Sequence, residues 1–297
     1  MPTDPAPLDP IPWPEQWRGL VDDAAIFPPG DAPIHEATAA HTARAQEWYA
    51  PLVGSFVLKD TDLPLVRGFG APLAVVVTGG AGQVGGPLAA AQRLGLAVAG
   101  IEIALRDPDD PTGNVRRVVA AVDQARADGT LDDDAPVFVE IPGPATPLWL
   151  AAADEVAAAG HRLKLRLGHV DHDLVPDSHT VAAWIDAALD RETPFKGTAG
   201  LHRAVRHDPE GGGAHGFLNV MAATRVLWDG GSAADATEAL EQRDGAALAA
   251  SLDPADVSSA RRWFTSFGSC SVTEPLDDLV GLGLVTRTSA SDPGENP

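Results

Sequence analysis

Eight short runs rich in Val, Ile, Leu and Phe alternate with helical stretches between residues 20 and 284, and this alternation limits the fold more than any other feature of the chain. The β-like runs are residues 20–27 (LVDDAAIF), 52–59 (LVGSFVLK), 73–79 (LAVVVTG), 98–105 (VAGIEIAL), 136–143 (PVFVEIPG), 161–168 (HRLKLRLG), 194–202 (PFKGTAGLH) and 263–271 (WFTSFGSCS). Helices are expected from Ile34 to Trp48, at 61–68, around 86–94 and over 147–159. Another carries Val115, Val118, Val119 and Val122 at the spacing of one apolar face, and a further one is marked by Val181, Trp184, Ile185 and Leu189. A helix between consecutive strands is the crossover that makes them parallel. Eight such units in 297 residues predict an α/β fold closed as a (β/α)8 (TIM) barrel. If the first and eighth strands failed, an open doubly wound sheet would be the better reading. A helical insertion separates the seventh and eighth strands, with FLNVMAATRVLW (217–228) as its clearest helix, and residues 274–284 close the barrel. Residues 1–17 read as a proline-rich extended arm, 18–286 as one barrel domain and 287–297 as a flexible tail.

Alternate residues of a barrel strand point into the barrel or out to the helices. In 161–168 the outward set is Leu163, Leu165 and Leu167, so Lys164 and Arg166 point inward. The same rule sends Glu102 inward between Ile101 and Ile103, and Phe138 and Glu140 inward among Val137, Val139 and Ile141. With Phe195 and Leu201 outward, Lys196, Thr198, Gly200 and His202 face inward. Charges in such a place must pair or meet water or ligand, because an unpaired one is costly. A structural ion-pair plug is one reading. The other is an active site, since barrel sites lie at the C-terminal ends of strands, where Glu140, Arg166 and His202 fall. Lys164 and Lys196 sit deeper. A lysine crowded by other cations in a restricted interior has its charged form disfavoured and its amine made more nucleophilic. That suits imine formation with a carbonyl compound, and equally a lysine serving as a proton-transfer base. Glu102 and Glu140 would be its proton-transfer partners and Arg166 an anion clamp.

Small residues end the seventh and eighth strands, in KGTAGLH (196–202) and SFGSCS (266–271), where barrels commonly hold phosphate. Thr198, Gly200, His202, Arg203 and Ser269 are therefore substrate-binding candidates, and Arg206 a further source of positive charge. Cys270 reads as a small packed residue rather than a nucleophile. In VDDAAIFPPG, Asp22 and Asp23 read as a cap or turn, with Asp23 the candidate for an inward position. GHVDHD (168–173) and the later His202, His207 and His215 gather histidines on neighbouring loops. His169, His172 and His202 are the candidate ligands should a divalent metal bind, although solvated loop histidines are the plainer reading and no compact zinc spacing is present.

The stretch TGGAGQVGG (78–86) resembles the opening of extended short-chain dehydrogenases, with Gly80, Gly82 and Gly85 in GxGxxG spacing and Glu102 about twenty residues on. Two strand–helix units precede it, the only tyrosine, Tyr49, has Val53 rather than Lys four residues later, and Glu102 lies mid-strand. NAD is therefore not expected, and a glycine-rich loop at the barrel mouth is the simpler account. The lysines on the sixth and seventh strands resemble the lysine-type (class I) aldolases, above all the deoxyribose-phosphate aldolases. By strand count Lys164 matches the Schiff-base lysine of that family and Lys196 its electrostatic partner; by local motif Lys196-Gly-Thr-Ala-Gly is the better match, one strand later. The whole chain is also similar to a bacterial family sharing the D-x-A-x-x-F-P-P start, the FK-x-TAGLH segment and HGFLN, a resemblance that brings no activity with it.

The net charge of −21 excludes the basic surface that nucleic acid or anionic membranes require. The single cysteine forbids an internal disulfide and points to a reducing compartment, and the N-terminus has no signal-peptide pattern, so a cytoplasmic protein is expected. Together these features predict a barrel enzyme with lyase or aldolase-like chemistry on a small anionic carbonyl compound, needing no cofactor. A divalent-metal-dependent lyase or isomerase and a noncatalytic small-molecule-binding barrel are the alternatives, and a homo-oligomer is compatible with each.

Overall fold

A computed structural model of the chain describes residues 12–168, 175–208 and 213–287. Its strands are β1 (Val21–Asp23), β2 (Val53–Lys59), β3 (Leu73–Val77), β4 (Val98–Ala104), β5 (Val137–Glu140), β6 (Arg162–Arg166), β7 (Phe195–Thr198) and β8 (Phe264–Ser269). They are hydrogen bonded in chain order, every pair parallel, and β8 pairs with β1 to close the barrel. The fold is the (β/α)8 barrel that the alternation predicts. The helices are α1 (Ile34–Arg44), α2 (Gly85–Leu94), α3 (Pro111–Ala127), α4 (Pro147–Ala158), α5 (Ser178–Asp190), the insertion helices α6 (Phe217–Trp228), α7 (Ala233–Glu241), α8 (Gly245–Ala250) and α9 (Pro254–Ala260), and α10 (Thr273–Gly281). No helix among the described residues is long and apolar enough to cross a membrane.

Helix starts follow local chemistry. Asp110, Thr146 and Asp177 each accept a backbone N–H in the first turn of α3, α4 and α5, and proline occupies a first-turn position of α3 and α4, where its missing N–H costs nothing. The core lies between barrel and helices. Ile101, Ile103, Val137, Val139, Leu163 and Leu165 are buried on the outer face of the sheet, and Phe267 stacks on Phe217 of α6 at 5.2 Å between ring centroids. Asn219, the polar residue of α6, is fully buried. Its amide donates to the carbonyls of Ala239 and Gln242 and accepts from the Arg206 backbone N–H, tying α7 and the loop after β7 to α6.

Several boundaries differ from expectation. The first strand covers only Val21–Asp23, because the register with β2 shifts there and the Ala25 N–H turns back to the Asp23 carboxylate. The first helix stops at Arg44 instead of Trp48, its end passing into tight turns such as Gln46 N–H to the Ala43 carbonyl. The expected arm reaches residue 17, yet Glu15–Trp17 form a short 3-10 turn and Trp17 is buried in the core. The tail from residue 288 onward lies outside the described residues.

Candidate functional site

Six charged side chains run through the barrel interior with alternating sign. Lys196 Nζ on β7 donates to Asp22 Oδ2 on β1 at 2.7 Å and to Glu102 Oε1 on β4 at 2.6 Å. Lys164 Nζ on β6 lies 2.9 Å from Glu102 Oε2 and 3.3 Å from Glu140 Oε2 on β5. Arg166 then grips Glu140 with Nε at 2.7 Å and Nη2 at 3.3 Å. Five of the six are buried; the Arg166 side chain is 46% exposed. The inward placement of Lys164, Arg166, Glu102, Glu140 and Lys196 thus agrees with the alternation of their strands.

Two expectations need correction. Asp22, not Asp23, is the inward acid of β1. Its Oδ1 accepts from the Ser55 backbone N–H and hydroxyl at 2.9 and 2.8 Å, and its Oδ2 from the Ser266 hydroxyl at 2.8 Å besides Lys196. Asp23 faces the helices and pairs with His41 at 2.9 Å and Arg44 at 2.6 Å. The other correction concerns the lysines' neighbours. Each lysine is flanked by two carboxylates rather than by cations, so the crowding argued to neutralise an amine is not what the interior contains. Burial favours the neutral form of Lys196, but Asp22 and Glu102 outweigh it and hold the ammonium well above the usual lysine range. Burial pushes Glu102 up, yet Lys164 and Lys196 overcome it and bring the carboxyl down to about 2. Glu140 is lowered for the same reason: Lys164 and Arg166 outweigh its burial.

The charged chain joins two cavities. A cleft of about 590 Å³ opens at the C-terminal ends of β5 and β6. Glu140, Lys164 and Arg166 line it from the barrel strands, with Ile141, Pro142 and Trp184 as apolar lining and Asp177 and Thr180 at the start of α5. Trp184 is fixed by its indole N–H donating to the Gly143 carbonyl at 3.1 Å. Glu102 and Lys196 do not reach this cleft. Lys196 and Asp22 line instead a pocket of about 270 Å³ at the N-terminal ends of the strands. Lys59, the last residue of β2, was not singled out by the sequence reading. Its strand buries Phe56 and Leu58 against the helix side and turns Ser55 to Asp22, so Lys59 faces the C-terminal mouth, 5.6 Å above the Phe27 ring. No carboxylate pairs with it among the described residues.

The other candidates are mostly engaged elsewhere. Arg203 pairs with Asp278 of α10 at 2.8 Å, and Arg206 with Glu241 of α7 at 2.9 Å, so both hold helices rather than an anion. Gly200 has φ +74°, and a Cβ on it would stand 2.9 Å from the Gly168 Cα; the pair lets β6 and β7 close together at the mouth. Thr198 ends β7, half-buried. His202, Ser269 and Cys270 meet beside Glu274: His202 Nδ1 lies 3.5 Å from Ser269 Oγ, 3.5 Å from Cys270 Sγ and 3.2 Å from Glu274 Oε2. Burial and the nearby Glu274 push the Cys270 thiol up, which keeps it protonated. His215 is buried, its Nε2 2.8 Å from the Pro176 carbonyl and its Nδ1 3.2 Å from Arg206, so it braces one wall of the cleft. His169 and His172 lie outside the described residues. Among the described residues no three His, Cys, Asp or Glu side chains converge as metal ligands. The TGGAGQVGG loop leads from β3 to α2 at the C-terminal mouth, with Gly80 at φ +70° against the Arg106 side chain.

No protein-family model and no curated protein matches the chain. A solved structure similar to it is the Xanthomonas albilineans dihydropteroate synthase with 4-aminobenzoic acid, at 12% identity and a TM-score of 0.35 over 92% of this chain and 95% of that one. A likeness this slight carries no argument about the chain, whose barrel stands on its own strand pairing.

Proposed function

We propose that the protein is a barrel enzyme that takes a small anionic carbonyl compound into the cleft over β5 and β6, with Lys164 as the reacting amine, Glu140 as its proton partner and Arg166 as the anion clamp. One observation carries this reading. At the C-terminal face, where barrel enzymes react, a buried lysine, a buried carboxylate and a half-exposed arginine line one 590 Å³ cleft. That volume falls in the range of small-molecule sites.

Arg166 couples binding to chemistry. In the free protein its guanidinium and Lys164 both depress Glu140, which is then a poor base. An anionic group arriving in the cleft competes for the exposed guanidinium. As Arg166 turns to it, Glu140 loses one of its two cations and becomes more basic, which makes it the acceptor for a Lys164 proton. The freed amine adds to the carbonyl carbon, forming a C–N bond as the C=O π pair moves to oxygen, which takes a proton from the nitrogen; Glu140 then returns its proton to that hydroxyl, which leaves as water to give the imine. The inner trio Asp22–Lys196–Glu102 takes no part in these steps. It anchors Glu102, which positions Lys164 from behind. The resemblance to the lysine-type aldolases supports Lys164 by strand position, and the strongly cationic Lys196 speaks against the rival assignment.

The chain has only three lysines, all on barrel strands, which makes chemical trapping decisive. Borohydride reduction with a panel of small aldehydes, ketones and keto acids should leave a stable adduct on Lys164, read by intact mass and peptide mapping. Anionic carbonyls should label best, and Lys164→Arg should abolish the adduct while the fold, followed by circular dichroism, persists. An adduct confined to Lys59 or the α-amine, or labelling unchanged in Lys164→Arg, would overturn the assignment.

A further inference from the structure

The barrel's opposite end carries a second charged cavity that this chemistry does not use. Its walls are the first residues of several strands and the turns before them: Asp22, Ser55, Phe138, Arg162, Lys196 and Ser266 are the side chains that matter. Arg162 opens β6, and its inward side chain follows from Lys164 and Arg166 two and four residues on. Its side chain makes no hydrogen bond and no ion pair among the described residues. Its guanidinium lies over the face of Phe138, 5.6 Å from the ring centroid, while Lys196 Nζ lies 5.2 Å from the same ring. Burial alone acts on it, lowering its pKa, with no carboxylate to offset the loss of water.

The surroundings add to this positive character. Asp22 is the pocket's only acid, and it is already saturated by Lys196, Ser266 and the backbone N–H and hydroxyl of Ser55. Behind the wall at Thr265, Arg261 is largely buried and spends its guanidinium on backbone carbonyls of Gln16, Arg18, Phe264 and Thr265, again with no carboxylate paired to it among the described residues. Two arginines with no salt bridge to an acid among the described residues, close to one cavity, stand out in a chain that carries 42 Asp and Glu against 21 Lys and Arg. The half-buried Arg162 guanidinium has lost part of its hydration with no protein partner in return, and a bidentate oxyanion is the partner its planar fork fits.

From this geometry we infer that the N-terminal mouth of the barrel is a second binding site, for a small oxyanion of the carboxylate or phosphate kind gripped by Arg162. The pocket's 270 Å³ lies below the range of drug-sized ligand sites and suits an inorganic phosphate or a small carboxylic acid. The Phe138 ring supplies an apolar floor, and the hydroxyl oxygens of Ser55 and Ser266 line the opposite side. The site is separate from the C-terminal cleft, and its ligand contacts none of the groups assigned to the chemistry.

Calorimetric titration of the full-length protein with inorganic phosphate, and separately with succinate, at ionic strength matched with sodium chloride, tests the site. Saturable binding of either probe should survive in Arg166→Gln, which removes the cleft's own anion clamp, and be lost when Arg162→Gln is added to it. Arg162→Lys keeps the charge without the fork and should weaken binding about tenfold. The probe that binds distinguishes phosphate from carboxylate recognition. Binding that persists in Arg162→Gln but vanishes in Arg166→Gln would place the anion in the cleft and overturn the inference. So would the absence of saturable heat with both probes in the wild-type chain. Circular dichroism and the unfolding midpoint of each variant show whether it is folded, and if Arg162→Gln is not, the Arg162→Lys affinity decides: affinity equal to wild type overturns the inference. Failure of lysine trapping leaves this result unaffected, because trapping reads Lys164 and the titration reads Arg162.

Discussion

Replacing Lys196 with Met probes the inner half of the charged chain. The variant keeps the length and apolar stem of the side chain but removes the ammonium that holds Asp22 at 2.7 Å and Glu102 at 2.6 Å. Breaking a buried pair from one side costs about 3–5 kcal/mol, because the surviving charge is left in low dielectric. Here the lower end applies. Asp22 retains the Ser55 N–H, the Ser55 hydroxyl and the Ser266 hydroxyl, and Glu102 retains Lys164. The expected loss is about 3 kcal/mol, equivalent to roughly 6–12 °C in Tm for a domain of this size. Urea unfolding followed by the fluorescence of the seven tryptophans measures it. Adding Asp22→Asn removes the acid that has lost its only cation, so the double variant should regain about 1–2 kcal/mol over Lys196→Met alone. A single variant within about 1 kcal/mol of wild type, or a double variant in which the two costs simply add, would refute the picture of a buried ionic anchor.

Arg166 is the contrasting case. Its side chain is 46% exposed, so Arg166→Gln should cost under about 1 kcal/mol in stability, yet raise the half-saturating concentration for carbonyl trapping at least tenfold. Stability should also fall on the acid side in two stages. Burial holds His161 and His215 below the ordinary histidine range, so the unfolded chain binds protons that the folded one refuses; stability is full above pH 6.5 and declines as pH falls below it. Glu102, at about 2 against an ordinary 4.5, adds a further loss of about 3 kcal/mol between those values. Unfolding midpoints across the pH range check both stages, and His161→Phe should flatten the first. Finally, Gly168→Ala would place a Cβ 2.7 Å from the Gly200 Cα, a backbone clash that cannot relax by a rotamer change; a loss of about 2 kcal/mol, with reduced trapping as the cleft mouth shifts, is expected in a denaturation and labelling pair.

The barrel was legible because parallel strands under helices leave a strong signal: apolar residues at every second position outward, and whatever the interior needs between them. Leu163, Leu165 and Leu167 fixed the direction of Lys164 and Arg166 without any tertiary knowledge. The partners were not legible. Glu102 on β4 stands between a lysine on β6 and one on β7, a meeting set by the stagger of the closed barrel and not by spacing within any strand. Asp22 was hidden by its neighbour: in Val21-Asp22-Asp23 two adjacent acids cannot both face inward, and Val21 as an outward residue was the clue that picks Asp22. Arg203 and Arg206 sit in a loop after β7 beside small residues, which suggested an anion, but their acids, Asp278 and Glu241, come from helices dozens of residues later. Lys59 carried a signal that went unused, since Phe56 and Leu58 as the outward pair put it at the mouth.

The interior chain of charges ends on a cation, Arg166, at the C-terminal mouth and on an acid, Asp22, toward the other. Three acids alternate with three bases from Asp22 to Arg166, and beyond the inner trio Arg162 opens onto the other mouth across the Phe138 ring. An anion at the C-terminal mouth would continue that alternation past Arg166, and one at the other mouth would meet Arg162, which has no acid partner among the described residues. On the proposed reading, these two arginines reconcile anionic ligands with a net charge of −21. The repulsive field comes from surface carboxylates that salt screens beyond roughly 8 Å at physiological ionic strength, whereas an oxyanion at either proposed site would sit in direct hydrogen-bond contact with a part-buried arginine. The distant charges set how often an anion arrives; the local arginines set how long it stays.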